Sequence, residues 1–384
     1  MSATGSTPSR RLVAGHAVFF PAATAYAIFV LPASVLAMSE RTSAFPALAS
    51  AAGHAHEMLF GFALAVVAGN QLGPMARSRL ALLFGLWAIA RATFLLAPQS
   101  AAASAANIAF AALLAAQLAP RLLRAAKKLR NQALPVVLIA ICGSSIAFQV
   151  ASRADYTILI VAVLFFALLL LFMGGRLIAP AVAGQFYRQG GKLDARVQPR
   201  IESALIAVMA IAVAAASFGD RPLLAATAGA ATLAAGLLAA VRLLRWRLWA
   251  LRGRLDLLCL AAGYGWLAIG LMLFGAALAA GRQQTTALHV IMVGGLGTLT
   301  LNVMAMTWAL RARQDPARAY LPVWGTLLIA AATLARALAG LRVYDAQALL
   351  GFASLCWSAA FALLLIRLAR VRARGPQAIF NHRA

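Results

Sequence analysis

Gly53-His54-Ala55-His56-Glu57-Met58-Leu59-Phe60-Gly61-Phe62 sets two imidazoles and a carboxylate at the mouth of a segment otherwise apolar enough to cross a membrane. Ionisable groups in such a place are expensive, so their presence points to function. The rest of the chain shares the apolar character. Of 384 residues, 63% are hydrophobic and 11% charged, and the mean hydropathy of +0.86 is far outside the range of soluble domains. A membrane span takes about 20 apolar residues. Runs of that kind, bounded by Arg, Pro or Gly, fall at 16–38, 56–74, 80–97, 101–119, 134–150, 156–178, 200–217, 222–241, 255–279, 286–309, 320–339 and 346–366. Backbone groups in lipid must satisfy their own hydrogen bonds, and each run is far longer than a barrel strand, so the spans are helices. The expected fold is an all-α integral membrane protein, a bundle of about twelve transmembrane helices. It forms a single domain over 1–384, with short tails at 1–15 and 368–384.

The formal net charge of +25 raises the question of nucleic acid, and the position of the charges answers it. Of 34 Lys and Arg, 26 fall in alternate connections: Arg10 and Arg11; Arg77 and Arg79; 121–130; 188–200; 242–254; 311–318; and 367–383. The intervening connections hold only Arg41, Arg153, Arg221, Arg282 and Arg342. This is the positive-inside pattern, and it predicts that both termini are cytoplasmic. The basic connections then face anionic lipid headgroups, worth about 1 kcal/mol per residue near the surface, and no nucleic-acid role is expected. The polar N-terminus followed by an apolar segment of spanning length predicts an uncleaved anchor. Cys142, Cys259 and Cys356 each sit in a different span with no paired spacing, which reads as small buried hydrophobes rather than a disulfide or zinc framework.

Three arginines lie inside spans. On this topology Arg176 is near the cytoplasmic end of the sixth helix, whereas Arg91 and Arg336 lie in the outer halves of the third and eleventh. Snorkelling toward headgroups is one reading of such residues. The other is that Arg91 and Arg336 neutralise a buried anion, such as a carboxylate or a porphyrin propionate, because both share the depth of the histidines. The glycines of the later spans, Gly263, Gly265 and Gly270 with Gly294, Gly295 and Gly297, permit close helix approach.

With the N-terminus inside, the second helix runs from outside to inside, so His54, His56 and Glu57 lie at its outer end. The tenth runs the same way, which brings His289 to that depth. Only five histidines occur in the chain. Neutral imidazole is the commonest ligand for haem iron, copper and zinc, and histidines of different helices can converge on one metal in a bundle core. On an ideal helix His54 and His56 are about 200° apart. Both face one metal only if His54 belongs to the preceding loop; otherwise they serve two sites. Met58 and Met292 are thioethers near these histidines, read either as soft ligands or as core packing. Glu57 is a candidate to fix a histidine tautomer or relay a proton. The plain alternative is a set of interfacial polar residues bonded to neighbouring helices.

Four segments carry a resemblance. His54-Ala-His-Glu-Met-Leu-Phe-Gly-Phe-Ala-Leu-Ala-Val-Val-Ala-Gly69 resembles the most recognisable motif of the NnrS family of bacterial membrane proteins. Met173-Gly-Gly-Arg-Leu-Ile-Ala-Pro180 is similar to the family's Gly-Gly-Arg-Val-Ile-Pro motif, Gly263-Tyr-Gly-Trp-Leu-Ala-Ile-Gly270 to its ninth-helix motif, and Ala287-Leu-His-Val-Ile-Met-Val-Gly-Gly-Leu-Gly-Thr298 to its His-led tenth helix. The resemblance implies a twelve-helix protein of the bacterial inner membrane that contains haem and copper and takes part in the response to nitric oxide, with no established catalytic turnover. Carried over residue by residue, it implies His54, His56 and His289 as metal or haem ligands. The chain departs from the family pattern at Ala261, where a histidine is common, at Leu310-Arg311-Ala312-Arg313, where Gly-His-Thr-Gly-Arg is usual, and at Asn70-Gln71-Leu72-Gly73-Pro74, where Pro-Asn-Trp is expected. These departures imply that a metal site of the family is altered here.

The functional expectation is therefore a membrane protein that binds haem, with copper as a second expected metal, near its outer face. His54, His56 and His289 are its candidate ligands, Arg91 and Arg336 its cofactor-binding cations, and Glu57, Met58 and Met292 the supporting shell. His16, at the inner end of the first helix, and His382, in the polar tail, are not expected at that centre. A secondary transporter of a small solute, or a metal-free membrane partner or assembly protein, are the alternatives. No activated nucleophile and no pair of membrane-embedded carboxylates suggests hydrolysis or proton pumping.

Overall fold

In a computed structural model that describes residues 12–125, 129–151, 156–218, 221–341 and 344–373, twelve helices are long and apolar enough to cross a membrane. They are α1 (His16–Met38), α2 (Ala51–Gln71), α3 (Arg77–Leu96), α4 (Ala101–Ala125), α5 (Gln132–Val150), α6 (Tyr156–Arg188), α7 (Asp194–Ala216), α8 (Pro222–Arg245), α9 (Leu255–Ala279), α10 (Thr285–Arg311), α11 (Leu321–Leu341) and α12 (Ala346–Val371). A two-stranded antiparallel pair, Leu12–Ala14 with Pro74–Ala76, ties the entry of α1 to the exit of α2. Arg10, Arg11, Lys127, Lys128, Arg153, Arg342, Arg374, His382 and Arg383 lie outside the described residues.

The spans agree with the apolar runs, and the differences fall at their ends. Pro180 closes the sixth run in the sequence, yet α6 continues to Arg188. Its backbone changes from α to π geometry over Gly174–Ile178 just before Pro180, and helical geometry then resumes at Ala179. A proline inside a regular helix removes one bond and crowds the carbonyl four residues back, so a local change of winding is a natural way past it. The fourth run likewise extends through Pro120 to Ala125, which makes Arg121 and Arg124 part of α4 rather than of a connection. Arg242, assigned from the sequence to a connection, is inside α8 and buried.

Four helices are the most enclosed. In α2 and α10, 72% of the membrane-length window is buried, and in α6 and α9 61%, against 28–56% for the other eight. Three of the four, spaced four apart in the chain, carry π segments: Glu57–Ala63 in α2, Gly174–Ile178 in α6 and Val290–Gly297 in α10. Each π segment contains glycine, and the glycines are where neighbours come closest. A Cβ on Gly294 would stand 2.9 Å from the Trp266 ring, and one on Gly270 only 2.7 Å from the Ile291 backbone nitrogen, so α9 and α10 pack backbone against side chain. A small apolar cavity of about 70 Å³ remains where α2, α6 and α10 meet.

Candidate functional site

The second helix begins at Ala51 because Ser50 caps it, its hydroxyl accepting from the Gly53 amide at 3.1 Å. His54 is therefore helical, not part of the preceding loop. With both histidines in one turn, the helix directs them to opposite sides, and the structure gives them separate surroundings.

His56 is fully buried and stacked on Phe94, with ring centres 3.9 Å apart, and Phe148 lies 4.8 Å away. The Gln149 amide nitrogen is 2.8 Å from His56 Nε2, and Glu57 Oε1 is 2.9 Å from Nδ1. An amide NH₂ can only donate and a carboxylate accepts. His56 is then the tautomer that donates from Nδ1 and accepts at Nε2, and both nitrogens are occupied. Glu57 also accepts from Arg91 Nη1 at 2.6 Å and from the Tyr26 hydroxyl, and Arg91 donates to Asn107, whose own amide donates to the Ala103 carbonyl at 2.8 Å. The network draws one side chain from each of α1, α3, α4 and α5 onto two from α2.

Arg91 thus does neutralise a buried anion, and that anion is the protein's own Glu57 carboxylate. Arg91 is 4% and Glu57 0% exposed, so the pair is dry, and its charges cancel. Gly61 makes the approach possible. A Cβ there would lie 2.9 Å from Arg91 Nη1 and 3.0 Å from Glu57 Oε2. The Gly61 carbonyl, within the π segment, accepts from Trp87 Nε1 at 2.9 Å.

His54 points away from this network toward α10. Its ring is parallel to that of His289, with an interplanar angle of 12° and ring centres 6.4 Å apart. His54 is the fourth residue of α2 and His289 the fifth of α10, and the two helices run the same way, which accounts for their equal depth. The Thr285 carbonyl lies 2.7 Å from His289 Nδ1. A carbonyl only accepts, so Nδ1 carries the hydrogen and Nε2 of the neutral ring keeps its lone pair, the arrangement usual for a ligating histidine. His54 Nδ1 is buried with no hydrogen-bond partner. Arg336 of α11 is one turn from Gly340, which packs against Thr286 at the start of α10, and it has no hydrogen bond or ion pair with any described residue.

The three histidines therefore do not converge on one point. His56 is closed by its own partners, His54 and His289 face each other, and among the described residues no group of three or more His, Cys, Asp or Glu is arranged to hold a metal ion. Met58 and Met292 are part-buried among apolar side chains. His16 is at the opposite end of the bundle, edge-on to Trp308 at 5.7 Å. Tyr26, Asn107 and Gln149 escaped the sequence reading. The signal was available for the last two, as amides inside apolar runs, and the rule applied to Arg91 would have found them.

Three of the segments that carried the resemblance touch one another. Gly174 of α6 faces the Tyr264 ring of α9, where a Cβ would come within 3.2 Å of Cζ, and Gly270 of α9 meets Ile291 of α10. A family model described as NnrS protein matches residues 11–374. No curated protein matches the chain.

Proposed function

The chain belongs to the NnrS family, and from that premise we propose that this multi-pass membrane protein, of a family associated with the response to nitric oxide, holds a haem between His54 and His289. The observation that carries the reading is the parallel pair of imidazoles at 6.4 Å, presented at one depth by two inner helices. The donor set fits. His289 keeps a lone pair on Nε2, His54 has a buried nitrogen that nothing else uses, and the two rings are neutral ligands. A porphyrin would bring nitrogen ligands of its own, so two protein imidazoles would suffice to hold its iron. A copper ion held by protein alone would draw on more donors than this pair, and we assign copper no site here.

When bound, haem would supply one-electron chemistry. The protein's part is to fix both rings through helix packing and to offer Arg336 as the cation for a propionate. Arg91 has no such role, because Glu57 already answers its charge. His56 acts through Glu57 and Gln149 as a support for α2, not as a ligand. The site sits at the end of the bundle whose connections are poor in arginine, the outer face expected from the charge asymmetry.

The test is the reduced-minus-oxidised visible spectrum of the full-length protein in mild detergent, made in haem-sufficient cells, with iron and copper quantified. Wild type is expected to show a Soret band and near-stoichiometric iron. His54→Ala and His289→Ala should each lose or shift that band, whereas His56→Gln keeps it. A colourless, metal-free wild type, or bands that survive both alanine variants unchanged, overturns the reading and returns the transporter and membrane-partner alternatives.

A further inference from the structure

At the arginine-rich end of the bundle, opposite the histidine pair, α6, α7 and α8 enclose a cavity of about 280 Å³. Its deep wall is an ion pair: Arg242 of α8, 2% exposed, donates from Nη2 to Glu202 of α7 at 2.8 Å and from Nη1 to the Leu171 carbonyl of α6 at 3.0 Å. Gly175 leaves the room for this. A Cβ on it would lie 3.0 Å from the Arg242 Cζ and 3.2 Å from Glu202 Oε1. Nearer the mouth stand two further guanidinium groups, both exposed. Arg176 lies over the Phe172 ring at 4.4 Å, and Arg196 has no hydrogen bond or ion pair with any described residue. Three guanidinium groups against one carboxylate leave the lining with an excess of two positive charges. The remaining wall is hydrocarbon, contributed by Leu168, Leu205 and Ile206.

A cavity with cations at its mouth and apolar side chains along one wall suits a phosphate group that carries or borders an aliphatic chain. We propose that this cavity is a binding site for a phosphate-bearing anion, with the phosphate held between Arg176 and Arg196. The Arg242–Glu202 pair forms its floor. An anionic phospholipid headgroup entering from the adjacent leaflet and free inorganic phosphate share this chemistry. Arg242 serves as scaffold, since its own charge is already met by Glu202, whereas Arg196 has no hydrogen bond or ion pair with any described residue. This site is independent of the haem reading and stands or falls without it.

Native mass spectrometry of the full-length protein in detergent tests it, with phosphatidylglycerol, chain-matched phosphatidylcholine and inorganic phosphate titrated separately. Wild type is expected to retain phosphatidylglycerol over phosphatidylcholine, and Arg176→Gln/Arg196→Gln to weaken that retention about tenfold, the size expected for losing one or two charge-assisted contacts. Arg188→Gln/Arg200→Gln, which removes two exposed charges that do not line the cavity, should leave it unchanged. Inorganic phosphate that binds wild type but not the cavity variant, in the absence of a lipid preference, assigns the site to the free anion. No preference among lipids together with no phosphate binding overturns the proposal, as does equal loss in both double variants. Arg196→Gln alone, at an exposed and unpaired residue, keeps the test decisive where the double variant fails to fold.

Discussion

Replacing Glu57 by Gln keeps the shape of the side chain and removes its charge, which isolates the worth of the buried network. In the wild type one carboxylate receives His56, Arg91 and Tyr26; His56, Glu57 and Arg91 are buried and Tyr26 is part-buried. After Glu57→Gln one carbonyl oxygen must serve those donors, and the new NH₂ competes with them. Arg91 is left as a charge with 4% exposure and only Asn107 and a neutral amide for company. Losing one member of such a pair costs on the order of 3–5 kcal/mol, chiefly because the other remains buried and charged. The assay is reversible unfolding of the purified protein in mild detergent titrated with dodecyl sulfate, followed by tryptophan fluorescence. Arg91→Met should cost a similar amount for the mirror-image reason. The double variant Glu57→Gln/Arg91→Met should be more stable than the sum of the single losses by roughly 1–3 kcal/mol, since neither orphan remains. A Glu57→Gln protein as stable as wild type, or strictly additive losses, would refute the account of a dry, mutually dependent pair.

Gln149→Leu takes the donor from His56 Nε2 and leaves that buried nitrogen without this bond, so it should cost about 1–3 kcal/mol in the same unfolding assay, with the haem spectrum intact. Gly270→Ala brings a methyl to 2.7 Å from the Ile291 backbone nitrogen, where no side-chain rotation gives relief. It should cost about 1–3 kcal/mol and also disturb the spectrum, because Ile291 lies two residues from His289. If both His54 and His289 hold the iron, carbon monoxide should leave the reduced spectrum of wild type unchanged yet shift that of any His54→Ala or His289→Ala protein that retains iron. A carbon monoxide shift in wild type would mean that one of the two rings is not a ligand.

How far the sequence reached can be judged from particular residues. The twelve spans were legible because the hydropathy of lipid-facing helices is a property of composition, and no neighbour can overrule it. Helix ends were harder. Pro120 and Pro180 read as stops, and only the surrounding packing lets α4 and α6 run past them. His54 and His289 were found as candidates, and the geometric condition set on His54 and His56 proved decisive once the cap at Ser50 put both in one helix. The closure of His56 could not be read, because it depends on Gln149, which is 93 residues away. The Arg242–Glu202 pair was hidden for a similar reason: a charge-rich stretch looks like a connection until the fold shows that one of its members turns inward. The recurrence of π segments in α2, α6 and α10 left no sequence repeat to detect, since the three segments share little beyond glycine.

The Glu57–Arg91 pair also has a bearing on how the chain enters the membrane. Of the twelve spans α2 is the least apolar, with a hydropathy of 1.3, and it carries a carboxylate, a group that is costly to leave unpaired in lipid. Its answering cation arrives 34 residues later, on the very next span. During synthesis α2 is thus poorly suited to leave the insertion machinery by itself, and becomes lipid-soluble only as a hairpin with α3. Asn107 and Gln149 then arrive in turn on α4 and α5. The first five helices carry an order of assembly in their polar residues, and the least lipid-compatible of them is held back until it can become one of the most enclosed.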